Sequence, residues 1–233
     1  MRIVLKISGE SLKGEKSLDN ECLNNVYKQI KNIKKDNELI IVIGGGNFWR
    51  GRNGLDIKSE TSDYIGMMGT IMNSVALTSY LKSKNMEAVC YSALKVEKVA
   101  EKEDKEKIEK ELKDGKIVVL GGGCGIPGYS TDMTTITKAI DYKADIILMA
   151  KNIDGVYDKD PKKEKATMIK EMTHQQLLEL SRNQGEGALT ILDMEALILL
   201  SKYKIPVYIY KSGIKEDITK VLNGEIGTKI ISK

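Results

Sequence analysis

Apolar residues along this chain come in two rhythms that alternate from one end to the other. Uninterrupted runs at Arg2 to Ile7, Leu39 to Ile43, Lys116 to Leu120, Asp145 to Met149 and Val207 to Tyr210 lack the polar alternation of a half-exposed strand, so both of their faces are expected to be covered. Val89 to Tyr91 and the closing Gly227-Thr-Lys-Ile-Ile231 read as shorter strands. Between them, helical spacing predicts helices at about Asn20 to Lys35, Ser62 to Lys84, Thr131 to Lys143, Thr173 to Arg182, Thr190 to Lys202 and Ile218 to Leu222, with a break at Gly185-Glu-Gly187. Lys95 to Lys113 is read as a charged helix because its Glu and Lys residues recur at i,i+4. In the longest helix, the stripe Ile65, Met68, Met72, Val75, Ala76, Ser79 and Tyr80 is read as the side facing the core, with methionine as filler. Strands alternating with helices define an α/β fold in which helices cover both faces of a sheet, and 233 residues suit one domain spanning 1–233.

Charge and composition mainly exclude. Lys and Arg number 37 against 33 Asp and Glu, a net charge of +4, and the lysines are interspersed with glutamates, which describes a solvated surface before a nucleic-acid interface. Aromatic residues are few and no basic stripe is interleaved with them. No apolar run approaches the ~18 residues of a membrane span. The chain enters a strand directly from its first residues without a leader, so a cytoplasmic location is expected, with no membrane partner. Cys22, Cys90 and Cys124 are odd in number and too far apart for a zinc pattern, so reduced thiols are expected. His174 is the single histidine, which leaves a His-based triad or metal cage little to draw on; it reads as an ordinary residue behind the N-cap Thr173.

The chemistry gathers where strands end. Lys6-Ile-Ser-Gly9, the loop Gly44 to Arg50, and Gly121 to Asp132 each follow a buried strand, and in an open α/β sheet ligands lie outside the carboxyl ends of the strands. These loops are therefore expected to line one crevice. Gly44, Gly45 and Gly46 remove three Cβ atoms in a row, which lets main-chain N–H groups approach an anion and permits positive φ. Lys6, Arg50 and the hydroxyls of Ser8, Ser130 and Thr131 add donors for several phosphates, while Asp132 and Asp160 could orient those donors or a magnesium ion. A lysine between Leu5 and Ile7 is costly in a buried strand unless it meets an anion. That inventory fits phosphoryl transfer, where catalysis is mostly positioning and charge stabilisation. Plainer roles compete: Asp132 as a helix N-cap, Asp63 as a helix-start acid, Asp160 as a turn residue before Pro161. The Walker pattern is absent. Gly123, Gly125 and Gly128 spell G-x-G-x-x-G, but Pro127 inside it and a helix opening only near Thr131 argue against dinucleotide binding.

In order along the chain, Lys6-Ile-Ser-Gly-Glu10, Val42-Ile-Gly-Gly-Gly-Asn-Phe-Trp-Arg-Gly51, Asp63-Tyr-Ile-Gly-Met-Met-Gly-Thr-Ile-Met-Asn73, Ser130-Thr-Asp132 and Asp154-Gly-Val-Tyr-Asp-Lys-Asp-Pro161 resemble the bacterial uridylate (UMP) kinases of the amino acid kinase superfamily. The resemblance implies a three-layer αβα sandwich with a mostly parallel central sheet, transfer of the ATP γ-phosphate to UMP giving UDP, magnesium dependence and a homohexamer. It assigns Lys6, Ile7, Ser8, Gly9, Gly46 and Arg50 to the phosphate end of ATP, and Asn152, Tyr157 and Asp160 to its adenine and ribose. Gly45, Asp63 and the loop of Cys124, Gly125, Ile126, Pro127, Gly128, Tyr129, Ser130 and Thr131 fall to UMP. Lys6, Arg50 and Asp132 become the catalytic set, with Asp132 holding Lys6 in place. Ile126 and Gly128 stand where the family usually carries an asparagine and an aromatic. Two rivals stay open: a superfamily relative that phosphorylates a small carboxylate or carbamate, and a non-catalytic nucleotide-binding protein on the same fold.

Overall fold

A computed structural model describes residues 1–51, 55–161, 163–183, 191–213 and 218–232. Along the chain these form β1 (Arg2–Ile7), α1 (Asn20–Lys34), β2 (Glu38–Ile43), α2 (Ser59–Ser83), β3 (Ala88–Ser92), β4 (Glu101–Lys102), α3 (Lys105–Lys113), β5 (Ile117–Gly121), α4 (Thr131–Asp141) and β6 (Ile146–Lys151). There follow β7 (Val156–Tyr157), β8 (Met168–Ile169), β9 (Glu171–Thr173), α5 (His174–Asn183), α6 (Met194–Tyr203), β10 (Val207–Lys211), α7 (Thr219–Leu222) and β11 (Thr228–Ile231).

Nine of the described strands make one sheet in the order β4-β3-β5-β2-β1-β6-β10-β11-β9, and β7 and β8 form a separate antiparallel pair. Every neighbouring pair in the large sheet is parallel except β10 with β11. Because side chains alternate across a strand, each apolar run feeds two cores. Val4, Val42, Val118 and Ile147 face α3, α4, α5 and α6; Ile3, Leu5, Ile41, Val119 and Leu148 face α1, α2 and α7. This is the expected three-layer arrangement. Leu39 to Ile43 are at most 2% exposed, which is why no polar residue interrupts them. β1 lies between β2 and β6, so the chain runs outward from β1 in one direction and later resumes on its other side. Such a reversal leaves a crevice at the carboxyl ends of the strands.

Three readings change. Lys95 to Lys113 is not one helix: residues 95–100 are a loop with an isolated bridge between Val96 and Ala100, Lys98 has φ of 69°, and Glu101–Lys102 pair with β3 as the sheet edge. Glu103 explains the departure, since it turns inward to accept from Lys138 at 2.6 Å and from the Tyr142 hydroxyl at 2.9 Å, an anchorage that a solvated helix would not provide. The methionines of the stripe assigned to the core in α2 lie on its outer face, Met68 51% and Met72 47% exposed, while Tyr80 at its end does pack against the α1-side core. The buried side carries Gly69, Thr70, Asn73, Ser74, Leu77 and Leu81, small and polar at its first half because α2 presses there against the glycine loop after β2. α6 begins at Met194, capped by Asp193, later than the predicted Thr190; Thr190 and the Gly185-Glu-Gly187 break lie outside the described residues. His174 is buried and hydrogen-bonded to the Ile205 carbonyl, as an ordinary structural residue.

Candidate active site

Lys6 projects from the central strand β1 toward α4 and is 8% exposed. Its ammonium lies 3.4 Å from Asp132 Oδ1 and donates to the Ala150 carbonyl at 3.3 Å. Asp132 stands in the first turn of α4, where the helix dipole favours a carboxylate. It is not the N-cap: that position belongs to Ser130, whose hydroxyl accepts from Met133 N at 3.0 Å. The second oxygen of Asp132 accepts from Lys151, the last residue of β6. One carboxylate thus joins two lysines from neighbouring strands. Sequence reasoning missed Lys151, which ends its strand and does not interrupt an apolar run as Lys6 does. Burial pushes the Lys6 ammonium below the ordinary lysine value; Asp132 opposes the shift and Lys151 adds to it.

A group whose folded value is lowered binds its proton less tightly than in the unfolded chain, so the cost of burying the charge is fully present at neutral pH and is relieved as pH rises toward 10.5. If the charged form is the working one, the rate falls across that same interval. We expect an alkaline limb in kcat/KM, which reports the free enzyme, beginning below the ordinary lysine range and read from initial rates between about pH 7 and 10. A profile flat to the upper end would contradict it.

The glycine loop after β2 sits beside this cluster. Gly9 and Gly44 touch across the β1 and β2 ends: a Cβ on Gly9 would meet the Gly44 carbonyl at 2.6 Å, and one on Gly45 would meet the Gly66 carbonyl of α2 at 2.5 Å. Close approach, rather than backbone conformation, requires Gly9 and Gly45: none of Gly44, Gly45 and Gly46 has positive φ, whereas Gly122, Gly123, Gly125 and Gly128 all do, and a Cβ on Gly46 would meet nothing nearer than 3.6 Å. Among the described residues, the N–H groups of Gly45 and Gly46 donate to no protein acceptor. Arg50 is exposed and pairs with Glu10 at 2.7 Å beyond Gly46.

A cavity of about 300 Å³ opens between the ends of β2 and β5 and α2, lined by Gly45, Gly46, Trp49, Asp63, Met67, Thr70, Gly123, Tyr129, Ser130 and Thr131. Asp63 closes one wall by accepting from Gly128 N at 2.7 Å, a tie between α2 and the 124–131 loop. Ser130 also donates to Asp193, the N-cap of α6. Cys124 lies 3.5 Å from Thr134 Oγ1, and Ile126 is 55% exposed; neither these nor Gly125, Pro127 and Gly128 lines the cavity. A second cavity of about 330 Å³ lies on the α1 side, where Ile7, Glu10, Asn152 and Tyr210 meet. The other two residues assigned to adenine and ribose sit elsewhere in the β6–β8 connection: Tyr157 donates to Asp154 at 2.9 Å and Asp160 lies 3.8 Å from Lys163, and neither lines the two cavities.

A mostly parallel open α/β sheet whose carboxyl edge combines unpaired glycine amides with a buried and a half-buried lysine on one carboxylate is the kind of site that suits phosphate groups. The amino acid kinase family matches residues 1–211. A uridylate kinase of Onion yellows phytoplasma (strain OY-M) is 41% identical over 241 aligned residues, covering all of this chain and 97% of the relative. The crystal structure of UMP kinase from Bacillus anthracis superposes with a TM-score of 0.90 at 31% identity, over 99% of this chain and 95% of that one. UMP kinase from Ureaplasma parvum gives 0.89 at 32%, over 99% and 98%. The chain belongs to the amino acid kinase family, among its uridylate kinases.

Proposed function

We propose that this protein transfers the γ-phosphate of ATP to UMP, giving UDP, at the crevice beside Lys6. The observation that carries the reading is end-to-end similarity to uridylate kinases combined with a buried Lys6–Asp132–Lys151 cluster against two free glycine amides. The acceptor is a phosphate whose second pKa is ~6, so it is largely ionised at neutral pH and no strong base is needed. An oxygen of the UMP phosphate attacks the γ-phosphorus, the bond to the β-γ bridging oxygen breaks, and ADP leaves with that electron pair. Lys6 and Lys151 offset the charge that shifts toward the bridging oxygen, Asp132 sets their positions, and the amides of Gly45 and Gly46 hold phosphate oxygens in line. UMP occupies the cavity of Gly45, Asp63 and Tyr129 to Thr131, with Cys124 to Gly128 closing over it. ATP lies across Ile7, Ser8, Gly9 and Arg50 toward Asn152, Tyr157 and Asp160.

A magnesium ion would come bound to the nucleotide. Asp132 is engaged by two lysines, and the described residues hold no group of three His, Cys, Asp or Glu placed to cage a metal, so triphosphate oxygens would supply most of its ligands. Its chemistry there is neutralisation of phosphate charge. The exposed stripe Tyr64, Met68 and Met72 on α2 supports self-association, and the resemblance to uridylate kinases implies that the assembly is a homohexamer, which we place in the cytoplasm. Among the described residues no helix is long and apolar enough to cross a membrane.

A coupled assay with ATP and, separately, UMP, CMP, dUMP and a panel of small carboxylates and carbamate decides the substrate. UDP formation well above every other product is the expected result. Consumption of ATP with a carboxylate and none with UMP would replace the reading, and tight nucleotide binding without turnover would make the protein a silent binder.

A further inference from the structure

We propose that Asn47 and Asn73 are positioning residues whose paired side-chain amides fix the direction of the Gly44–Gly46 peptide groups, so that two N–H donors face the incoming phosphates. The inference rests on the reading of this edge as the phosphate site, and it concerns residues that touch no substrate.

Asn73 is completely buried in α2 and Asn47 is 7% exposed in the loop after β2. Asn73 Nδ2 donates to the Gly44 carbonyl at 2.6 Å and to Asn47 Oδ1 at 2.7 Å; Asn47 Nδ2 donates back to Asn73 Oδ1 at 2.9 Å and to the Ser17 carbonyl at 2.7 Å. The pair admits one arrangement only. A carbonyl oxygen stands at each end, at Gly44 and at Ser17, and a carbonyl can only accept, so each amide must present nitrogen outward and keep its oxygen for the other. Three segments are thereby joined: the stretch before α1, the glycine loop and α2.

The consequence follows from peptide geometry. In a planar trans peptide, C=O and the next N–H point in opposite directions, and the described chain contains no cis bond. With the Gly44 carbonyl drawn to Asn73, the Gly45 N–H points to the opposite side of that peptide, where among the described residues no protein acceptor meets it. The Gly45 carbonyl accepts from Phe48 N at 2.9 Å and Trp49 N at 3.0 Å, so the Gly46 N–H points away from that turn, toward the end of β1 and Gly9. Three successive glycines allow close approach but leave several orientations nearly equal in energy, so a run without Cβ atoms needs an external constraint to keep its dipoles aimed. The buried amide pair supplies it.

The test compares the parent enzyme with Asn73→Asp, which puts an acceptor against the Gly44 carbonyl, and with Asn47→Ser, which releases the clamp from its other end. Three quantities are read: kcat with ATP and UMP, affinity for inorganic tripolyphosphate and ATP, and affinity for adenosine. The expected result is a loss of about 10²-fold in kcat, the size of losing one aimed donor, with tripolyphosphate and ATP weakened at least tenfold and adenosine within about twofold. A purely structural role would lower melting temperature and weaken nucleoside and nucleotide alike, and that outcome overturns the proposal. So does normal tripolyphosphate and ATP binding in folded variants. Should both variants fail to fold, the parent protein decides: tripolyphosphate or ATP must shift the Gly45 and Gly46 amide resonances, and unmoved resonances overturn the proposal. The anion measurements do not depend on which acceptor is phosphorylated. If the parent makes no UDP yet the anion results hold, the substrate reading fails and the clamp stands.

Discussion

Alanine in place of Lys6 is expected to lower kcat about 10²- to 10³-fold while leaving the melting temperature close to that of the parent protein. The two halves of this expectation have one source. Lys6 is a buried ammonium held below its ordinary pKa, so its charge is a burden to the fold, and Asp132 keeps Lys151 as a partner once Lys6 is gone. Removing the side chain therefore gives up an aimed positive charge without stranding a negative one. Steady-state rates at saturating ATP and UMP, taken with a thermal melt, check it. A variant within tenfold of the parent rate would mean that the Lys6 charge lies away from the transferred phosphoryl group.

Asp132→Asn is expected to damage both properties. Asp132, Lys6 and Lys151 are 12%, 11% and 16% exposed at the side chain, and loss of the shared carboxylate leaves two ammonium groups facing one another out of water. Breaking a buried pair costs about 3–5 kcal/mol, which corresponds to roughly 6–20 °C in a chain of this length. The rate should fall about 10²-fold as well, because Lys6 loses the partner that sets its position. Two further results separate this cause from general damage. The gap in stability between variant and parent should narrow as pH rises, since an unpaired lysine gives up its proton sooner, and Lys151→Met added to Asp132→Asn should recover part of the lost melting temperature. A variant as stable as the parent at neutral pH would show that the two lysines are solvated rather than held by the carboxylate.

The contrast between these residues and the rest of the site shows how far the sequence could be read. Lys6 stood out because an apolar strand makes a lone charge expensive, and the glycine loops stood out because nothing else in a buried strand's neighbourhood needs three missing Cβ atoms. Lys151 closes its strand instead of interrupting it, so the burial cost that marks Lys6 does not mark it. Asn47 and Asn73 are 26 positions apart, and nothing local marks them as partners. α2 was assigned the wrong face because methionine and valine outweigh glycine, threonine, asparagine and serine on any hydrophobic scale. Close packing against a glycine loop rewards small volume and satisfied hydrogen bonds over apolar area. The stretch from Lys95 failed for the opposite reason, since i,i+4 charge spacing occurs in loops and edge strands whenever Glu and Lys are abundant.

β1 and β6 are hydrogen-bonded with Lys6 opposite Met149, which puts Lys151 two positions further along the neighbouring strand on the same side of the sheet. The separation of the two cations is thus a property of main-chain ladder spacing, rigid on the scale of the chemistry, whereas the groups proposed to recognise a base or sugar sit outside the large sheet, on connecting segments, in the short β7 and at the start of α2. Substrate preference in such a protein can drift through its loops while the charge ruler underneath stays constant. An added residue inside either strand would turn one lysine toward the opposite layer and abolish the ruler outright.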